Sequence, residues 1–203
     1  MIHFVSDTHW GHKNIIKYSN RPFSSVKEMD EHMIARWNES VKPEDHVWHL
    51  GDFSFQTYPD FKNTLRRLNG TINFVYGNHD KMIHQHETEL LGSFNAADQK
   101  AGSNAWPAKM LNSIQNYAEL KMDGEMFVLF HYGQRVWNKS HNNSIHLYGH
   151  SHGSLPPFGK SVDVGVDCKE ITSEYRPVSM DEVIKYMAKR SAPVVDHHGM
   201  KDD

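Results

Sequence analysis

The chain has 203 residues, with 22 Lys and Arg against 25 Asp and Glu and a formal net charge of −3. That balance excludes a strongly basic nucleic-acid module and an acidic tail protein, while 38% hydrophobic residues are enough to fill the core of one compact domain. The single Cys168 excludes an intrachain disulfide and a thiolate metal cluster, which fits a reducing compartment.

Residues 2–5 read as a short apolar strand that ends at Ser6-Asp7-Thr8-His9, with a turn at Gly11. A helix then opens with the capping pattern Ser25-Val26-Lys27-Glu28, and its apolar positions Val26, Met29, Met33 and Trp37 recur at helical spacing until Pro43 stops it. His46-Val47-Trp48-His49-Leu50 is a second strand running into Gly51-Asp52. A third unit repeats the scheme: a helix with Phe61, Leu65 and Leu68 on one face, a stop at Asn69-Gly70, and a strand over 71–76 that feeds Gly77-Asn78-His79-Asp80. Strand alternating with helix argues an α/β sheet with parallel character.

The stretch 92–112 is polar and aperiodic, long for a connection, and is expected to be an insert or lid loop. Segments 116–122 and 125–130 flank Asp123-Gly124, the signature of a tight hairpin. Residues 145–148 form a strand leading into Gly149-His150-Ser151-His152, residues 161–166 form another, and Ser179-Met180-Asp181-Glu182 opens a last helix carrying Val183, Ile184 and Met187. Periodicity ends after Arg190, so one domain is expected over 1–190, with a flexible tail over 191–203 in which His197-His198 reads as a tag remnant. The longest apolar run, 126–130, is far below the ~18 residues of a membrane span, and no signal-peptide core precedes Asp7. The expected location is the cytoplasm, with no membrane partner.

Histidine is the outlier of the composition, at 16 of 203 positions. It is the commonest metal ligand, so its placement matters more than its count. Five polar clusters follow predicted strands: Asp7-x-His9, Gly51-Asp52, Gly77-Asn78-His79-Asp80, His131, and Gly149-His150-Ser151-His152. Ligands of open α/β sheets collect beyond the carboxyl ends of strands, so the five can converge on one crevice. Asp7 with His9, and His150 with His152, point to one side if the local backbone stays extended. Glycine before Asp52, Asn78 and His150 permits sharp turns and close backbone approach. Carboxylates, imidazoles and one carboxamide without thiolate match divalent Mn, Fe, Ni or Zn, and there are enough of them for two ions. Each clue is weak singly; the ordered set is not.

That ordered set resembles the calcineurin-like metallophosphoesterase superfamily. The longer runs Ser6-Asp7-Thr8-His9-Trp10-Gly11-His12 and Leu147-Tyr148-Gly149-His150-Ser151-His152-Gly153 are similar to its small bacterial and phage phosphoesterases. The resemblance implies an α/β four-layer sandwich, two mixed β-sheets packed face to face and flanked by helices. It implies one metal held by Asp7, His9, Asp52 and His152 and a second held by Asp52, Asn78, His131 and His150, with Asp52 bridging. Mn is the expected ion, with Fe, Ni or Zn as alternatives. It further implies that His79 is not a ligand but the catalytic residue over the substrate, binding a phosphoryl oxygen or protonating the leaving group. Two divalent ions roughly 3.5–4 Å apart supply hydroxide at neutral pH and clamp the nonbridging oxygens. Metal-bridged hydroxide would therefore attack phosphorus, and proton donation by an imidazole adds about 10²–10⁴-fold.

Arg135 follows His131 on the same loop and is expected to fork onto a substrate phosphate, while His12, Asn14 and Arg21 follow the first cluster closely enough to line its rim. Trp10, Tyr132 and Trp137 are candidates for an aromatic wall. Asp80 is expected either to orient His79 or to cap a helix beginning near Lys81, and His3, His46, His49 and His146, lying within strands, read as structural or solvent-facing. Phe53-Ser54-Phe55 replaces the Val-Asp-Arg-Gly continuation of the family's protein phosphatases, which disfavours that activity. The chain is short for the family's DNA-end nucleases and lacks a basic surplus. The expected function is metal-dependent hydrolysis of a small phosphodiester, nucleotide-derived or a cyclic nucleotide. A phosphomonoesterase, a nuclease acting on DNA or RNA, and an inactive binding scaffold are the alternatives.

Overall fold

The first half of the chain forms strand β1 (Ile2–Val5), helices α1 (Ile15–Tyr18) and α2 (Val26–Ser40), strand β2 (His46–His49), helix α3 (Tyr58–Arg67), strand β3 (Thr71–Val75) and the short helices α4 (Lys81–Gln85) and α5 (Glu87–Leu90). The second half adds β4 (Ser113–Gln115), β5 (Ala118–Met122), β6 (Glu125–Leu129), β7 (Ile145–Tyr148), β8 (Ser161–Asp163), β9 (Val178–Ser179) and α6 (Met180–Met187). The structure is a computed structural model that describes residues 1–92, 110–171 and 174–193. The insert or lid expected over 92–112 lies outside the described residues except for 92 and 110–112, and so does the tail from 194 onward, with its His197-His198 pair.

Local chemistry accounts for the element ends. Ser25 Oγ accepts the Glu28 amide at 3.2 Å and starts α2, but the Glu28 carboxylate turns to Ser24, so the reciprocal box is not closed there. It is closed at α6, where Ser179 Oγ accepts the Glu182 amide and Glu182 accepts the Ser179 amide at 2.7 Å. Asp123 and Gly124 have φ of 49° and 83°, the left-handed pair that a two-residue hairpin requires, and they join β5 to β6 with Met122 opposite Glu125.

The strands form two mixed sheets, one ordered β4-β3-β2-β1-β9 and the other β5-β6-β7-β8. In the first, β1 to β4 run parallel and β9 closes the far edge antiparallel; in the second, an antiparallel hairpin continues into parallel β7 and β8. Period-2 alternation splits the apolar residues between two cores. Phe4, Trp48 and Val75 face the other sheet's Phe127, Leu129 and Leu147, with the Phe4 and Phe127 rings 5.4 Å apart. Val5, Val47 and Phe74 face the opposite way, onto Met29, Met33 and Trp37 of α2 and Phe61 and Leu65 of α3. Face-to-face mixed sheets with flanking helices are therefore the architecture. On the outer side of the smaller sheet, Trp137 packs over His146 at 5.3 Å.

The strand expected over 161–166 is shorter than its apolar pattern. After Asp163 the chain leaves its sheet and bridges to the end of β1: Ser6 N donates to Val164 O and Val166 N donates to Ser6 O. That stitch joins the two sheets at the edge where Asp7 lies. No described helix is long and apolar enough to cross a membrane.

Candidate metal centre

Five strand ends meet at this edge. Beyond β1 stand Asp7 and His9, beyond β2 Asp52, beyond β3 Asn78 and His79, beyond β6 His131, and beyond β7 His150 and His152. Asp7, His9 and His152 form one group and Asp52, His131 and His150 another, each with donor atoms within 4.8 Å of one another. Asn78 joins the second group through its Oδ1, 3.1 Å from His131 Nε2.

The two carboxylates are oriented alike. Asp7 Oδ2 accepts the His150 amide at 2.9 Å, which leaves Oδ1 facing His9 Nε2 at 3.8 Å and His152 Nε2 at 4.0 Å. Asp52 Oδ1 accepts the His79 amide at 2.8 Å, which leaves Oδ2 facing His131, His9 and His79 Nε2 at 3.6, 3.9 and 4.0 Å. These separations are too long for hydrogen bonds and suit donors converging on a shared cation. Asp7 Oδ1 and both His9 nitrogens are buried without a hydrogen-bond partner, an arrangement that is costly unless something else satisfies them. Oxygen and imidazole donors without thiolate fit divalent cations.

The backbone achieves this convergence differently from the extended conformation expected. Asp7, His9, Asp52, His150 and His152 have φ of 56°, 52°, 55°, 66° and 48°, all left-handed. The Asp7-x-His9 and His150-x-His152 pairs therefore converge through kinks at both candidate donor positions rather than by strand alternation. Each such residue costs on the order of 1–2 kcal/mol, and the surrounding bonds hold it in place. Asp7 N and His9 N donate to Gly51 O and Asp52 O, and Thr8 Oγ1 donates to Phe53 O. Where these loops cross, only glycine fits. A Cβ on Gly51 would lie 2.5 Å from the Gly77 nitrogen, and one on Gly149 would lie 2.0 Å from Ser6 Oγ.

Partners behind the donors fix their ring orientation. His131 Nδ1 donates to Leu50 O at 2.7 Å and His152 Nδ1 to Asp167 Oδ2 at 2.7 Å, so each turns Nε2 to the centre. Asp80 accepts the amides of Asp52, Phe53 and Gly77 at 2.7, 2.9 and 2.7 Å, clamping two ligand loops together. Buried His49 lies between Thr8 Oγ1 and the Gly51 amide. Burial opposes charge on both His131 and Asp52, but Asp52 and Asp7 together raise His131 to about 9, while His131, the His79 amide and His9 hold Asp52 at about 2. Burial pushes Asp80 up to about 6 against its three amide bonds, and pushes His49 down to about 3.

Among the residues expected to bind substrate, His12 lines the cleft beside His9 and His79. Arg21 does not: it is buried, its guanidinium forks Asp167 at 2.8 and 2.8 Å and donates to the Asp7 and Thr8 carbonyls, so it braces the ligand loop from behind. Arg135 is exposed with its guanidinium 4.3 Å from the Phe158 ring centroid, and Asn14 is exposed at the start of α1; neither lines the cleft. Trp10 and Trp137 are buried packing residues, whereas Tyr132 is exposed with its ring 4.6 Å from His150. Asp80 makes no side-chain cap to α4 because its carboxylate serves the three loop amides.

Sequence reasoning missed Asp167, and also Asp163, which accepts from Ser151 Oγ and the Gly153 and Gly165 amides and so shapes the His150 to His152 loop. The signal was Asp163-Val164-Gly165-Val166-Asp167, carboxylates at a strand end like the other clusters.

A family model described as the calcineurin-like phosphoesterase superfamily domain matches residues 1–158. The chain is 30% identical over 197 residues to an uncharacterized protein of Methanocaldococcus jannaschii, covering 93% of this chain and 92% of the relative. It is 23% identical over 193 residues to the Gene 66 protein of Mycobacterium phage L5, covering 89% and 90%. Among solved structures, a protein of unknown function from Aquifex aeolicus shares the fold with a TM-score of 0.63 at 22% identity, covering 91% of this chain and 98% of the other.

Proposed function

This chain belongs to the calcineurin-like phosphoesterase superfamily, hydrolases of phosphate esters, and from that premise we propose that it is a dinuclear metal-dependent phosphodiesterase. The observation that carries the proposal is the matched orientation of Asp7 and Asp52, each holding one oxygen on a backbone amide and turning the other to imidazole nitrogens. One cation would be held by Asp7, His9, Asp52 and His152, the other by Asp52, Asn78, His131 and His150, with Mn²⁺ the preferred ion. When bound, two such cations supply Lewis acidity toward the phosphoryl oxygens and a nucleophile at neutral pH.

The chain's own residues do the rest. Asp167 and the Leu50 carbonyl orient two of the imidazoles, and Asp80 keeps the Asp52 and Asn78 loops in register. His79 is anchored through its amide to Asp52 while its ring, 48% exposed, faces the cleft. From there it would hand a proton to the leaving oxygen. The near-neutral charge favours a small phosphate ester over nucleic acid, and the lone buried Cys168 suits a reducing cytoplasm.

Loaded with Mn²⁺, the protein is expected to hydrolyse bis-p-nitrophenyl phosphate. Asp52→Asn should abolish turnover and lower metal content measured by mass spectrometry, and His79→Ala should lower kcat by about 10²–10⁴-fold with both ions retained. A protein that holds two ions and turns over neither mono- nor diester probes would be a binding scaffold instead.

A further inference from the structure

Two clefts meet over the donor groups. One, of about 640 Å³, runs from His9 and His79 past Phe55 and His12 to Tyr18. The other, of about 560 Å³, starts at His150 and runs past Tyr132 to Leu155. They share Ser151, His152 and Ser154, so the donors lie at their junction. Each is within the size range of a small-molecule site. A phosphomonoester or a cyclic ester presents one organic body to such a centre, and a linear diester presents two.

The walls indicate what the arms are. Phe55, Tyr18, Tyr132 and Leu155 are all large apolar or aromatic side chains left exposed, and all four line these clefts. The His12 and Phe55 rings are stacked at 4.0 Å and 14°, Tyr18 meets His12 edge-on at 6.3 Å, and the Phe55 ring lies 5.0 Å from His79. The aromatic platform thus begins beside the residue assigned to protonate the leaving oxygen. No Lys or Arg is among the described residues lining either cleft, so neither is built to follow a run of backbone phosphates.

Resting on the phosphodiesterase reading above, we infer that the substrate is a linear phosphodiester with two organic arms. The leaving arm carries a planar aromatic group, such as a nucleobase, seated on Phe55, His12 and Tyr18, and the retained arm lies along Tyr132 and Leu155. Hydrolysis forms one P–O bond from water and breaks the P–O bond to the leaving arm. The departing alkoxide takes a proton from His79, water's proton replaces it, and a phosphomonoester remains on the retained arm.

The test uses Mn²⁺-loaded protein and p-nitrophenyl phosphates whose second substituent is hydrogen, methyl, phenyl or thymidine, together with thymidylyl-thymidine and a 3′,5′-cyclic nucleotide. Phenyl and thymidine esters are expected to exceed the methyl ester in kcat/KM, and thymidylyl-thymidine to exceed the cyclic nucleotide. Phe55→Ala should lower kcat/KM for thymidylyl-thymidine about 10-fold or more, as loss of one base stack does, and Phe55→Trp should restore it. Saturation-transfer NMR should show thymidine monophosphate base protons receiving magnetisation from wild-type protein and less from Phe55→Ala. Equal rates for methyl and aryl esters, a cyclic nucleotide turned over as well as the linear one, or indifference to Phe55→Ala would overturn the two-arm assignment while leaving the phosphodiesterase intact. Failure on every diester by two-ion protein would instead overturn the phosphodiesterase reading itself.

Discussion

His152 presents Nε2 to Asp7 because its Nδ1 is taken by Asp167, and Asp167 is forked in turn by Arg21. Burial works to raise the Asp167 carboxyl, but His152 and the Arg21 guanidinium hold it below its ordinary value. Asp167→Asn keeps the shape and removes the charge. It is expected to weaken Mn²⁺ affinity about 10–100-fold, measured by titrating metal-free protein and following free Mn²⁺ by electron paramagnetic resonance; unchanged affinity would remove Asp167 from this role. His152 was legible in Gly149-His150-x-His152, whereas Asp167 faces it only after β8 pairs with β7 and the chain crosses to Ser6. Arg21 stands near the ligand loop in sequence as expected, but the Asp7 and Thr8 carbonyls and Asp167 draw its guanidinium inward. Sequence proximity fixes distance along the chain and not the direction of a side chain.

At the scale of elements, β7 both delivers His150 and anchors the loop that follows His131. Within it His146 Nδ1 donates to Val128 O at 3.0 Å and Nε2 accepts the Gln134 amide at 3.0 Å, an arrangement that requires the neutral ring. Burial pushes His146 down to about 4. Between about pH 6.5 and pH 4 the unfolded chain therefore binds a proton there that the folded chain refuses, so stability falls as pH drops through that window and is level above it. The contribution is on the order of 3 kcal/mol. His146→Gln should lower the urea midpoint at pH 7 yet lose less stability than wild type on acidification to pH 4.5; an undiminished acid loss would point to another group. The hairpin and the two long helices were legible because turn residues and apolar spacing act locally. β4 and β9 were not: three and two residues long, they exist as strands only because β3 and β1 offer edges to pair with.

For the whole molecule, the donor groups couple both sheets to any cation they hold. Asp7 extends from β1 of the larger sheet and His152 from β7 of the smaller, so a cation between them would bind the folded chain and not the unfolded one. Mass action then stabilises the fold by about 2.7 kcal/mol at a hundredfold excess over Kd. Chelation with EDTA should lower Tm in calorimetry, added Mn²⁺ should raise it progressively, and Asp52→Asn should show a smaller rise. A Tm indifferent to both treatments would mean that the donors hold no cation.

Apolar periodicity, capping residues and the Asp-Gly turn established the α/β alternation, because each acts over a few residues. The order of Asp, His and Asn clusters at strand ends picked out the candidate donors that the fold brings to one edge. Packing over long range settled the remainder: the left-handed kinks at five donors, the stitch between Ser6 and Gly165, the inward turn of Arg21 and the exposed platform at Phe55. The bond from the His150 amide to Asp7 spans 143 residues of chain. No local pattern carries such a contact, since it comes into being only when two sheets, each held by its own hydrogen bonds, bury a common core and bring their strand ends to one edge.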